Sequence, residues 1–237
     1  VPADGAALVV LTARHVARAY AVVEGVATNN DGARKGGFSQ PSEAAQVEVI
    51  RLALHDAGRG AAEVDYVEAH GTGTAIGDPI ELAALGRVHA SRAESRPDKL
   101  QVGSIKGNLG HLNTVAGVAS FVKAALTVSR GAAPPSIHSS PLSGHVPWAS
   151  LPLEVAASGA ARVRRAGVSA FGIGGSNAHV VLAAPPAPQL AAAALEGAAA
   201  VLHSAVQNRT PVPPSPFVQS PSAAAVATIA LAATVAA

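Results

Sequence analysis

Cysteine is absent from all 237 residues. No disulfide can form, and no metal can be held by thiolates; the compartment stays open, with a cytoplasmic setting as the expectation. Aromatic residues are 3% of the chain and no basic run interleaves with them, which argues against a nucleic-acid surface despite a net charge of +2. Charged residues are 14% against 49% hydrophobic. Alanine supplies much of that apolar share, so core volume per residue is low. There is no secretory leader at Val1-Pro-Ala-Asp-Gly-Ala6, and the start reads as mid-domain. The apolar stretch Ala223–Ala237 is too short and too alanine-rich for a membrane span. No solenoid repeat and no G-K-[ST] phosphate loop occurs. Gly172-x-Gly174 lacks the third glycine of a dinucleotide loop.

What is present is a set of glycine-rich loops. An apolar run ends in Val67-Glu-Ala-His-Gly-Thr-Gly-Thr74. Asp78-Pro-Ile-Glu81 then reads as a helix start, with Asp78 at the N-cap, Pro79 first and Glu81 reaching back. His70 therefore sits between a strand and a helix, where ligands of α/β folds gather. Gly71 and Gly73 allow close backbone approach, and Thr72 and Thr74 bring uncharged hydroxyls. A second strand, Leu100–Ile105, leads into Lys106-Gly-Asn-Leu-Gly-His111 and a helix over Thr114–Ser129. A third loop, Phe171-Gly-Ile-Gly-Gly-Ser-Asn177, joins strands at Ala166–Ala170 and Ala178–Ala183.

Around these loops the pattern predicts strands at Asp4–Leu11, Tyr20–Thr28 and Val64–Ala69, and a turn at Asn29–Gly32. Helices are predicted at Pro41–Ala57, with Val47, Ile50 and Leu54 on one face, and at Pro79–Ala90. On the third helix Val115, Val118, Ala119, Val122 and Leu126 share a face. Pro134–Pro147 is irregular and Leu151–Ala156 a short strand. Leaving that short strand aside, the order β-β-α-β-α-β-α-β-β fits one half of a layered α/β/α domain. Composition changes at Ala184. Residues 1–183 form the expected domain, and 184–237, with Pro-rich stretches and a marginal helix at Ala191–Ala200, an Ala/Pro-rich linker or disordered tail.

The three loops resemble the C-terminal half of a β-ketoacyl synthase, a condensing enzyme of the thiolase-like fold. The family signatures are His-Gly-Thr-Gly-Thr, carried as His70–Thr74, Lys-x-Asn-x-Gly-His, carried as Lys106–His111, and Gly-Phe-Gly-Gly-Thr-Asn-Ala-His, carried in altered form as Gly172–His179. The resemblance covers roughly Asp4 to Leu182 and leans toward the multidomain polyketide or fatty-acid synthase type. It implies one half of the duplicated fold and decarboxylative Claisen condensation with malonyl on a carrier protein. His70 and His111 would stabilise the enolate left by CO2, with Lys106 buried beside them. Thr72 and Thr74 would bind the phosphopantetheine arm. Ile173, Gly174 and Ser176 would lie in the loop that gates the acyl pocket and supplies an oxyanion-hole N–H. No metal and no dissociable cofactor is implied. The implied partners are an acyl carrier protein, the N-terminal half of the same domain and a second copy in a homodimer.

The family nucleophile is a cysteine upstream of these motifs, so the resemblance reads the chain as a fragment. Three positions depart from the family: Asn113 stands where an acid is common, Ile173 replaces phenylalanine, and Ser176 replaces threonine. Blander readings exist for each residue: His70 serving backbone groups, Lys106 on the surface, His111 as a helix start, Thr72 and Thr74 as loop caps. A scaffold or dimerisation fragment is the alternative from another class. A serine hydrolase using Ser176 lacks the last glycine of G-x-S-x-G and the strand-to-helix turn. Arg162, Arg164 and Arg165 would meet an acidic carrier or simply end a strand.

Overall fold

The computed structural model describes residues 1–13, 19–37, 40–96, 98–157, 162–185 and 230–235. Its strands are β1 (Leu8–Thr12), β2 (Ala21–Asn30), β3 (Tyr66–Glu68), β4 (Leu100–Gly103), β5 (Leu153–Val155), β6 (Arg165–Phe171), β7 (Ser176–Ala183) and β8 (Ala230–Val235). Its helices are α1 (Glu43–Asp56), α2 (Gly77–Val88), α3 (Arg92–Ser95), α4 (Lys106–Leu109) and α5 (Ala116–Arg130). All eight strands form one sheet in the order β1-β8-β2-β7-β6-β3-β4-β5.

Alternation along the central strands sets the layers, because successive strand residues point to opposite faces. Val67 of β3 and Val181 of β7 join Val49, Ile50, Leu82 and Leu85 of α1 and α2 in one buried cluster. Their neighbours Tyr66 and Leu182 join Val122, Ala125 and Val128 of α5 in another. Helices thus cover both faces, giving the α/β/α layering expected from the element order. Gly131 at φ +71 ends α5 in the left-handed conformation.

Several boundaries differ from the sequence reading. Pro41 does not open the first turn of α1; the Ser42 hydroxyl caps it, accepting from the Ala45 N–H at 3.3 Å. The Lys106–His111 loop contains one helical turn, α4, ended by Gly110 at φ +76. Six residues of the stretch read as linker join the sheet: β8 runs parallel to both β1 and β2 and fills the place between them. The two strands do not pair with each other, and β8 meets the N–H and C=O groups that their facing edges would otherwise leave without partners. The helix read at Ala191–Ala200 lies outside the described residues.

Strand β2 is pressed against the end of α1. A Cβ built on Gly25 would lie 2.4 Å from the Ala57 nitrogen and 2.5 Å from the Ala53 oxygen. Both are backbone atoms, so relief requires moving the helix. Gly25→Ala is expected to lower stability by about 1–3 kcal/mol, read as a lower urea midpoint. Gly37→Ala, where nothing lies within 4 Å of the new carbon, serves as the control.

Candidate active site

Strands β4 and β6 both run parallel to β3, one on each side. The C-terminal ends of three neighbouring strands therefore open on one edge of the sheet. His70 follows β3, the α4 turn follows β4, and the Gly172–Gly175 turn follows β6. Loops from adjacent parallel strands converge at such an edge.

They bring the two histidines together. The His70 and His111 rings have centroids 5.6 Å apart and planes at 85°. The Phe171 ring lies 5.8 Å from that of His70. Each histidine has its Nδ1 engaged: the Phe171 N–H donates to His70 Nδ1 at 3.4 Å, and the Asn113 N–H to His111 Nδ1 at 3.0 Å. An Nδ1 that accepts carries no proton, so the neutral ring bears its proton on Nε2. Burial, followed by the nearby Lys106 and His111 charges, pushes the His70 pKa down to about 3. Burial and Lys106 lower His111 as well. At neutral pH both rings are neutral Nε2–H donors.

Carboxylates support the loops from below. Glu81 is buried and accepts from the His70 N–H at 2.7 Å and the Gly71 N–H at 2.9 Å. Asp78 accepts from the Gly73 N–H at 3.1 Å. This corrects the capping-box expectation. Helix α2 opens at Gly77, and both acids serve the loop instead of their own helix end. The loop folds back over that end with Gly71 at φ +46 and Gly73 at φ +75, so its N–H groups reach the carboxylates first. Burial drives the Glu81 pKa up to about 7 against these bonds. Burial also raises Asp78.

Lys106 Nζ is buried and makes no hydrogen bond. Burial lowers its pKa, while Glu81, Glu68 and Asp78 oppose the shift. Those acids face the lysine where Asn113 cannot; Asn113 itself lies at φ +51. Glu68 forms a 2.8 Å ion pair with Lys123 and accepts from the Tyr66 hydroxyl and the Ile105 N–H.

The other sequence candidates divide. Thr72, Thr74, Phe171 and Ile173 line a cavity of about 310 Å³ with His70 and His111. Thr74 also caps α2, its hydroxyl accepting from the Gly77 N–H at 3.0 Å. Lys106 and Gly107 line a second cavity of about 540 Å³, between the Gly71–Thr74 loop and the 136–148 segment. Gly174 and Ser176 line neither. Ser176 begins β7, so strands flank it on both sides. Arg165 is bound to Glu24 at 2.5 Å, which takes it out of any carrier-facing cluster.

Sequence reasoning missed Glu68, Lys123, Asp31 and Lys35. Asp31 is 1% exposed and accepts from Asn177 Nδ2 at 2.7 Å, tying the end of β2, which runs through Asn29 and Asn30 where a turn was expected, to the third loop. Isolated charges inside apolar runs, Glu68 after Val67 and Lys123 after Val122, were the available signal.

Comparison with known proteins defines the class. The β-ketoacyl synthase C-terminal domain matches residues 20–140. A phenolphthiocerol/phthiocerol polyketide synthase of Mycobacterium tuberculosis is 46% identical over 199 residues, 80% of this chain and 9% of the relative. The spectinabilin polyketide synthase system protein NorC of Streptomyces orinoci is 47% identical over 174 residues, 71% of this chain and 8% of its own length. Among solved structures, an oxazolomycin ketosynthase domain of Streptomyces albus superposes with a TM-score of 0.65 at 37% identity, covering 73% of this chain and 31% of that one. Ketosynthase twelve of the bacillaene polyketide synthase from Bacillus amyloliquefaciens gives 0.63 at 35% identity, over 70% and 30%. The chain belongs to the β-ketoacyl synthase family, in its C-terminal domain, and its fold is thiolase-like. It spans less than a tenth of the length of these two polyketide synthase relatives, 9% and 8%. Among the described residues no helix is long and apolar enough to cross a membrane.

Proposed function

We propose that this chain supplies the decarboxylating half of a ketosynthase site, in which an acyl thioester condenses with a malonyl-type thioester on a carrier protein. The observation that carries this is the pair of neutral histidines facing one cavity with both Nδ1 atoms occupied. The bond from the α-carbon to the carboxylate breaks, CO2 leaves, and the electron pair moves onto the thioester as an enolate. Two Nε2–H donors stabilise the developing oxyanion without giving up a proton. The enolate carbon attacks the acyl thioester and a thiolate departs. Lys106 supplies positive potential behind the rings. In this reading Thr72 binds the phosphopantetheine arm and Ile173 meets the acyl chain, a role supported by both lining the cavity of the two histidines.

The reading needs a thiol, and this chain has none. We assign it to an N-terminal ketosynthase domain, with an acyl carrier protein and a second copy as the other partners, in a cytoplasmic setting. Residues 1–183 carry the site in this reading, and β8 completes their sheet. The 237-residue chain alone is expected to form no ketoacyl product from an acyl donor and malonyl-carrier protein. The chain completed by an N-terminal ketosynthase domain is expected to form it. Product from the chain alone would remove the thiol argument. No product from the completed enzyme would leave the scaffold reading in its place.

A further inference from the structure

We propose that Lys35 is a positioning residue that latches the Gly172–Gly175 turn beside the two histidines and so limits the acyl group that fits against Ile173. The identity of that group rests on the condensing reading above; the latch itself does not.

Lys35 Nζ donates to the Ile173 carbonyl oxygen at 2.6 Å, between residues far apart in sequence. An ammonium on a neutral carbonyl is a charge-assisted bond, stronger than a neutral pair. The lysine stem lies against the same turn: a Cβ built on Gly175 would sit 3.4 Å from Lys35 Cδ and 3.2 Å from Asp31 Cβ. Gly175 is at φ +92, so a side chain there is disfavoured by the backbone as well as by the lysine.

The turn's own bonds fix its two ends. The Gly175 N–H donates to the Gly172 oxygen at 2.8 Å, the Gly172 N–H to the Ser176 oxygen at 2.7 Å, and the Asp31 N–H to the Gly175 oxygen at 2.8 Å. The crown between them carries Ile173. Its side chain is 67% exposed, so packing does little to orient it. The tether from Lys35 to the Ile173 carbonyl acts at that crown. Lys35, Ile173, His70 and His111 line one cavity, so tipping the crown changes its width beside the histidines. Neighbouring Arg34 cannot take over, because its guanidinium is bound to Glu48 and to the Asn30 and Asp31 carbonyls.

Hydrogen exchange on the 237-residue chain tests the latch. In Lys35→Met, exchange at the Gly172 and Gly175 amides should rise about tenfold or more, while Val180 and Val181 on β7 keep their protection. Lys35→Arg, which keeps a cationic donor on a long stem, should restore most of the protection. Unchanged exchange at the turn overturns the proposal. An equal rise across β6 and β7 also overturns it, since Lys35 would then stabilise the sheet at large. A second arm uses the chain completed by an N-terminal ketosynthase domain. The ratio of kcat/KM for a branched acyl thioester to that for acetyl should rise about tenfold in Lys35→Met, the gain that one or two extra methylenes of room can give. A loosened turn with an unchanged ratio overturns the acyl part. If no version accepts any acyl group, the condensing reading fails, and the exchange result still decides the latch.

Discussion

In the completed ketosynthase, His70→Ala and His111→Ala should each slow CO2 release from the malonyl thioester by on the order of a hundredfold or more, while acyl transfer to the thiol continues. The two steps develop charge in different places. Acylation needs a thiolate and an oxyanion hole of backbone N–H groups, which an alanine at either position leaves standing. Decarboxylation places charge on the malonyl thioester oxygen, which the condensing reading sets against the two Nε2–H donors. Each ring is already neutral, with Nδ1 held by a backbone N–H, so substitution deletes a positioned donor without changing net charge. Single-turnover acylation measured beside CO2 release on the same protein separates the steps. Variants that release CO2 at the unmodified rate would make the histidines structural.

The second large effect concerns His179, on the far side of the family motif from the cavity. It is fully buried, its Nδ1 lies 3.0 Å from the Ser169 hydroxyl, and its ring packs where a side chain on Gly167 would stand. Burial, followed by the charge of His89, pushes its pKa down from 6.5 to about 3. The folded value is depressed. Below pH 6.5 the unfolded chain takes up a proton that the folded chain refuses, so this contribution is present above pH 6.5 and lost as the pH falls. Each pH unit is worth about 1.4 kcal/mol. Glu81 works in the opposite sense: raised to about 7, it favours the fold most in acid and loses that contribution as the pH rises through 7. The test is therefore a difference. His179→Gln costs packing at every pH, yet the gap between wild type and variant in urea denaturation should shrink by about 2 kcal/mol from pH 6.5 to pH 5. Parallel curves would show that His179 is not held neutral.

The positions of the elements were legible where periodicity and punctuation agreed. The α1 face of Val47, Ile50 and Leu54 packs as its spacing predicts. For the candidate site, the convergence of the loops was legible: His70, His111, Thr72, Thr74 and Ile173 meet at one cavity. Its supporting charges were not. Glu81 read as a capping residue because only its spacing from Asp78 was visible, whereas its partners are N–H groups ten and eleven residues earlier. Lys123 sits inside a helix stripe of alanine and valine, and only the fold puts Glu68 opposite it. Likewise, nothing local to Ala230–Val235 states that β1 and β2 leave a gap of one strand.

The Gly71–Thr74 loop has a cavity on each side, and Thr72, Thr74, Asp78, Glu81 and His111 border both. Such a loop is a party wall: its thickness is a single strand of chain, so room gained in one chamber is taken from the other. A ligand that presses on Thr72 from the larger side bears on the backbone that carries His70. A substitution that widens the wall is felt twice, once as a lost fit on each side, which leaves few side chains larger than threonine acceptable along it.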